Sequence, residues 1–166
     1  MIAAAPAIRL RPETDDDRAL SRSIYASARA DELARVPWTV AQREAFLDMQ
    51  FEAQRRHYRD HYPQAEWSIV VVDGADAGRL YLDDSCDALL LVDVALLAPF
   101  RRRGIGRALL AAVLARADAG RRAVRLHVEK DNPALAWYQR LGFVVDGDAG
   151  AYWRMQRPAT ANEAAA

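Results

Sequence analysis

The chain has 166 residues, 52% of them hydrophobic, which is enough to bury one substantial core and too apolar for a disordered chain. Its 23 Lys and Arg balance 23 Asp and Glu, which argues against a general nucleic-acid binder, a class that carries a basic excess. One cysteine, Cys86, rules out an intrachain disulfide framework or a multi-thiolate metal site. The first residues lack the basic and apolar regions of a secretion signal. No apolar run reaches the roughly 18 residues of a membrane span. The expected setting is the cytoplasm, without a membrane partner.

In chain order, Ala7 to Arg11 alternates apolar and charged residues and predicts a strand. Thr14 and the three aspartates after it suit a helix start, and that helix runs to about Leu33 before Pro37. Thr39 can cap a second, longer helix through Phe46, Met49, Phe51 and Tyr58, ending before Pro63. Trp67 to Val72 and Ala77 to Leu82 read as strands joined by an Asp73-Gly74 turn. Ala88 to Leu96 is nearly all apolar and fits a strand covered on both faces. Ile105, Ala108, Leu109, Ala112 and Val113 mark one face of a strong helix that Gly120 ends. Ala123 to Val128 is the next strand. Asn132-Pro133 opens a short helix that Gly142 closes. Phe143 to Val145 and Tyr152 to Met155 form two last strands. The order β-α-α-β-β-β-α-β-α-β-β predicts a single α/β domain over residues 1–157, a mixed sheet with helices on both faces. Residues 158–166 read as a frayed Ala/Pro/Thr-rich tail.

The most informative segment is Ala98-Pro99-Phe100-Arg101-Arg102-Arg103-Gly104-Ile105-Gly106-Arg107, between a buried strand and an amphipathic helix. A helix N-terminus offers free N–H groups and partial positive charge, and glycines let a ligand approach them. From Pro99 to Ala117 there are five arginines and no acid, although helix starts usually carry acids. An external anion is the natural counter-charge, and a pyrophosphate fits it. A solvated basic loop is the bland alternative. The dinucleotide fingerprint fits less well, because its third glycine position is Leu109, and the Walker A pattern is absent.

On the later helix Ala134, Trp137, Tyr138 and Leu141 share a face, so Tyr138 points inward, as many core tyrosines do. Two motifs in this order, Arg101-x-x-Gly104-x-Gly106 and Asn132-x-x-x-Ala136-x-Tyr138-x-x-x-Gly142-Phe143, resemble the GNAT superfamily of N-acetyltransferases, most strongly from about Leu91 to Phe143. The resemblance implies acetyl-CoA as acyl donor and no metal. It implies that the backbone of Leu96, Leu97 and Ala98 pairs with the pantetheine arm. The N–H groups of Arg102, Arg103, Gly104, Ile105, Gly106 and Arg107, with Arg101 beside them, would hold the pyrophosphate. Asn132 and Ala136 would lie along the cofactor arm, with Tyr138 near the thioester sulfur. The chain departs from the family at Ala98, where proline is common; Pro99 comes one place later.

The implied reaction is attack of a primary amine on the thioester, the acceptor being a small molecule. A protein amine, N-terminal or lysine, and a non-catalytic acyl-CoA sensor are the alternatives, and the resemblance allows a homodimer. Tyr138 is the expected donor to the leaving thiolate. Asp93, an acid in an apolar strand, is either the general base or a structural carboxylate bonded to a neighbour; Glu129 and Asp87 are lesser candidates. The two N-terminal helices are expected to roof the acceptor site, with Tyr25, Trp38 and Phe51 as candidate lining. His57 and His61 sit one helical turn apart, but Tyr58 stands where a zincin motif needs Glu, so no metal site is expected. Cys86 has no neighbouring histidine in sequence and reads as a bystander.

Overall fold

The computed structural model describes residues 5–160. Its strands are β1 (Ile8–Pro12), β2 (Glu66–Val72), β3 (Ala75–Asp83), β4 (Leu89–Leu96), β5 (Val124–Glu129), β6 (Val144–Ala149) and β7 (Tyr152–Arg157). Its helices are α1 (Arg18–Leu33), α2 (Val40–His61), α3 (Ile105–Ala119) and α4 (Leu135–Arg140). The strands form a mixed seven-stranded sheet, as the element order predicts. The chain divides into two compact units: the described residues through Tyr81 with Asp93–Gly106, and Leu82–Val92 with the residues from Arg107 onward.

In the first unit the strands run β1-β2-β3 and then the C-terminal part of β4. β1 pairs antiparallel with β2, from Ile8 opposite Val72 to Pro12 opposite Ser68. The β2–β3 loop is the two residues Asp73 and Gly74, both with positive φ, a turn whose twist matches the strands it joins. The Asp73 side chain also accepts from the Ala7 amide. The three aspartates form a short 3-10 turn before α1 instead of its first α-helical turn, because the Asp17 carboxylate folds back onto the Thr14 amide and Arg11. At α2, Thr39 and Gln42 form a reciprocal capping box. Tyr25 and Leu33 of α1 are buried against Leu47 and Phe51 of α2. Ion pairs from Arg18 to Glu52 and from Arg22 to Glu44 and Asp48 join the same two helices.

In the second unit the N-terminal part of β4 pairs parallel with β5, and β5, β7 and β6 follow antiparallel. α3 buries Leu109, Leu110, Val113 and Ala117, while Ala108 and Ala112 are exposed. The buried stripe is therefore rotated from the predicted one toward the larger side chains. α4 begins at Leu135, later than Asn132-Pro133 suggests, because the Asn132 side chain accepts from the Ala134 amide and holds a turn there. β6 continues to Ala149, past the predicted Val145, with an irregularity between Val145 and Gly147. Thr160 donates to Asp118; residues 161–166 of the predicted tail lie outside the described residues.

Candidate active site

The turn before α3 is built from three local choices. β4 ends at Leu96, and the Leu97 amide still donates to Ala77 of β3, at 2.8 Å. Gly78 makes that approach possible, since a Cβ there would lie 2.2 Å from the Ala95 carbonyl oxygen. Ala98–Phe100 then forms a single 3-10 turn with proline in its first positions. Arg102 and Gly104 take positive φ, +59° and +78°, and α3 begins at the buried Ile105. A Cβ at Gly104 or Gly106 would meet nothing within 4 Å, so these glycines leave open space before the helix N-terminus. Arg102, Arg103 and Arg107 are exposed, with Arg103 packed over the Phe100 ring.

Arg101 is placed differently from its three neighbours. Its Nε donates to the Leu96 carbonyl at 2.8 Å, and its Nη2 donates to the Ser27 hydroxyl at 3.0 Å. The same Ser27 oxygen accepts from the Ala98 amide at 3.2 Å. Arg101 and Ser27 thus fasten the end of β4 to α1. Nothing in the local sequence marks Ser27, which stands 71 positions before Ala98.

Asp93 lies 2.6 Å from Arg79 Nη2, and the same nitrogen donates to Gln54 of α2 at 2.8 Å. Arg79 is 3% exposed. Its guanidinium stays charged: burial opposes the charge, and Asp93 leads the interactions that outweigh it. Asp93 thus forms an ion pair with an arginine on a half-buried stretch of β4. Of the other candidate bases, Asp87 is exposed and bound to Arg125 and the Ala88 amide, and Glu129 ends β5. Beside Arg79, Tyr81 has its phenol pushed well above the usual range, first by burial and then by the nearby Glu13 carboxylate, against the lowering pull of Arg79.

Tyr138 is half-buried on α4, its ring 5.3 Å from Trp137 and 5.7 Å edge-on from the buried Phe143. The end of α4 holds it there. Gly142, at φ +91°, sends its amide to Gln139, and the Phe143 amide returns to the Tyr138 carbonyl. This 6→1 and 5→2 pair brings the residue after the glycine onto the last helical turn. Ala136 is exposed on the same helix.

Tyr25 and Phe51 are buried, 6% and 3% exposed, with rings 6.0 Å apart. Trp38, between α1 and α2, is exposed and packs on Phe46 at 4.9 Å. The His57 and His61 rings are 4.0 Å apart, with His61 Nδ1 against the His57 carbonyl. Among the described residues no three His, Cys, Asp or Glu side chains cluster as metal ligands. Cys86 is exposed.

A family model described as an acetyltransferase (GNAT) domain matches residues 64–145, which include the turn and α4. The chain carries a GNAT acetyltransferase domain. It is an acyltransferase. No curated protein matches it. Its fold is shared with solved GNAT structures. An acetyltransferase from Thermus thermophilus is 21% identical over 93% of this chain and 98% of that one, with a TM-score of 0.67. The PaiA N-acetyltransferase of Thermoplasma acidophilum, solved with coenzyme A, is 17% identical over 92% and 99%, at 0.63. A structure described as histone acetyltransferase HPA2 and related acetyltransferase from Corynebacterium glutamicum is 23% identical over 96% and 99%, also at 0.63. Among the described residues no helix is long and apolar enough to cross a membrane.

Proposed function

We propose that the GNAT domain moves an acetyl group from acetyl-CoA to the primary amine of a small molecule. The observation that carries the reading is the turn from Leu97 to Arg107: open glycines, three exposed arginines and no acid at the start of a fifteen-residue helix. The first amides of such a helix have no intrahelical acceptor, and their dipoles favour an anion. The coenzyme A bound by the Thermoplasma neighbour supports a pyrophosphate as that anion. The amides of Arg102 to Arg107 hold it, with Arg102, Arg103 and Arg107 outside. Arg101 contributes its charge while its fork shapes the turn, and the backbone of Leu96 to Ala98 pairs with the pantetheine arm. Asn132 and Ala136 flank the same arm.

The amine nitrogen attacks the thioester carbonyl, the carbon–sulfur bond breaks, and the amine's extra proton leaves. Asp93 takes that proton directly or through water. The Tyr138 phenol donates a hydrogen bond to the departing thiolate. Full proton transfer is uphill, because a phenol titrates near 10 and a thiol near 8.5. A small acceptor is favoured over a peptide by the closed α1–α2 pair, which a buried aromatic cluster and three cross-helix ion pairs lock together. Of the three candidate lining residues, Trp38 is the exposed one.

Calorimetric titration with acetyl-CoA tests the reading. The parent is expected to bind at micromolar concentration, and Gly104→Asp, which sets a carboxylate where the anion sits, much more weakly. Tyr138→Phe keeps binding and loses turnover on a panel of small amines and peptide amines. Asp93→Asn removes the acidic limb of the pH–rate profile. No binding at millimolar acetyl-CoA would overturn the reading, and turnover confined to peptide amines would replace the small acceptor with a protein one.

A further inference from the structure

Within the first unit lies a small pocket, with about 10 Å³ of room for water, that the acetyl-transfer chemistry does not use. Glu13 and Ser21 line it from the β1–α1 side, Gln54 and Tyr58 from α2, and Arg79 and Tyr81 from β3. The Glu13 side chain is 2% exposed and its backbone is fixed by donation to the Trp67 carbonyl at 2.9 Å. One carboxylate oxygen, Oε1, accepts from the Ser21 hydroxyl at 2.7 Å, with Arg55 3.8 Å away. The other, Oε2, is buried and has no hydrogen-bond partner among the described residues. Arg79 Nε is in the same position: buried, and without an acceptor among the described residues, although Nη2 of the same side chain donates to Gln54 and lies 2.6 Å from Asp93 Oδ2 as an ion pair.

Each such atom, if left dry, costs about 1–3 kcal/mol, more for charged groups. The two are complementary, since Nε–H needs an acceptor and Oε2 needs a donor. A ligand that serves both must accept on one side and donate on the other. A hydroxyl group, as in water, does both, since its oxygen accepts while its hydrogen is donated. The volume is that of about one water, which needs roughly 10–15 Å³ of this measure, and excludes an amine or carboxylate substrate. We propose that the cavity holds one ordered water, accepting from Arg79 Nε and donating to Glu13 Oε2. Through that water Glu13 is a positioning residue: it fixes the guanidinium whose other edge holds Asp93. This second step rests on the reading of Asp93 as the base.

A crystal structure of the full chain, at a resolution that places ordered waters, tests the site. A density peak within about 2.6–3.2 Å of both Arg79 Nε and Glu13 Oε2 is expected, and the peak disappears in Glu13→Leu. A cavity without density, or a direct Glu13–Arg79 hydrogen bond, overturns the proposal. For the positioning role, Glu13→Leu lowers kcat by roughly tenfold to a hundredfold, the scale of a small misplacement. The KM for acetyl-CoA stays unchanged, and Glu13→Gln, which keeps an oxygen for the water, restores most of kcat. Equal loss in both variants overturns the positioning role. An unaltered pH–rate profile in Asp93→Asn overturns the base reading, while the water stands or falls on its density alone.

Discussion

Single residues in the turn separate stability from binding. Gly106 lies in the first turn of α3 at ordinary φ, with open space where a Cβ would stand. In an exposed helical position alanine is better than glycine by about 0.5–1 kcal/mol. Gly106→Ala is therefore expected to raise the melting temperature slightly and, on the proposed binding mode, to weaken acetyl-CoA binding, because the added methyl would stand in the path of the pyrophosphate. Thermal unfolding and titration of the same sample check both, and a gain in both would remove Gly106 from the anion site. Ser27→Ala acts from the other side. It deprives the Ala98 amide and Arg101 Nη2 of their shared acceptor, a loss of about 0.5–1.5 kcal/mol for the neutral bond and about 1.5–3 kcal/mol for the one from the charged guanidinium. The turn loosens, and the dissociation constant for acetyl-CoA is expected to rise by roughly threefold to tenfold; an unchanged constant would mean that Ser27 does not shape the turn. The glycines and arginines of this turn are legible in the sequence because their chemistry is local. Ser27 and Arg79 are not. Ser27 matters through a contact with Arg101, 74 positions away, and Arg79 looks like any strand arginine until Gln54 and Asp93 are seen beside it.

The elements show the same division between local signal and tertiary placement. Both α3 and α4 end in paired 6→1 and 5→2 hydrogen bonds, the Arg122 amide returning to Ala117 and the Arg121 amide to Asp118 in α3. At α4 the left-handed residue is Gly142, where the sequence places it, and the following Phe143 reaches Tyr138 as this cap requires. At α3 the glycine is one place early. Gly120 is not in the left-handed region, and Arg121 takes it at φ +52°. A glycine is a sound marker that a helix ends but does not say which residue turns left-handed. Tertiary anchoring decided it here, because Arg122 is held by the Cys86 and Asp87 carbonyls and by Asp84. A non-glycine residue in that region is disfavoured by roughly 1–2 kcal/mol. Arg121→Gly is expected to recover about 0.5–1 kcal/mol after the added freedom of the unfolded chain is subtracted. Chemical denaturation measures it, and a destabilised variant would show that the Arg121 side chain makes a compensating contact.

At the scale of the whole molecule, the division into two compact units gives each its own carboxylate anchor. In the first, Asp17 accepts two bonds from Arg11 and one from the Thr14 amide, and chiefly the Arg11 bond holds its carboxyl far below the usual range. In the second, Arg157 of β7 binds Asp118 of α3 through both terminal nitrogens and lowers its pKa. A carboxyl depressed in the folded state stabilises fully above its unfolded value, near 3.9, and that contribution is lost as pH falls toward the folded value. Both units should therefore hold their stability from neutral pH to about pH 5 and lose it progressively below about pH 4. Thermal unfolding from pH 7 to pH 3 measures the slope. Asp17→Asn removes the charge that Arg11 and Thr14 bind. It is expected to destabilise the protein at pH 7 by about 1.5–3 kcal/mol, the range for hydrogen bonds to a charged group. It also flattens the acid slope, because the variant has less left to lose. Asp118→Asn flattens it as well, since Arg157 joins the last strand of its unit to α3. If Asp17→Asn kept the parent's full acid slope, the Arg11–Asp17 pair would hold the β1–α1 corner without governing how the first unit responds to acid.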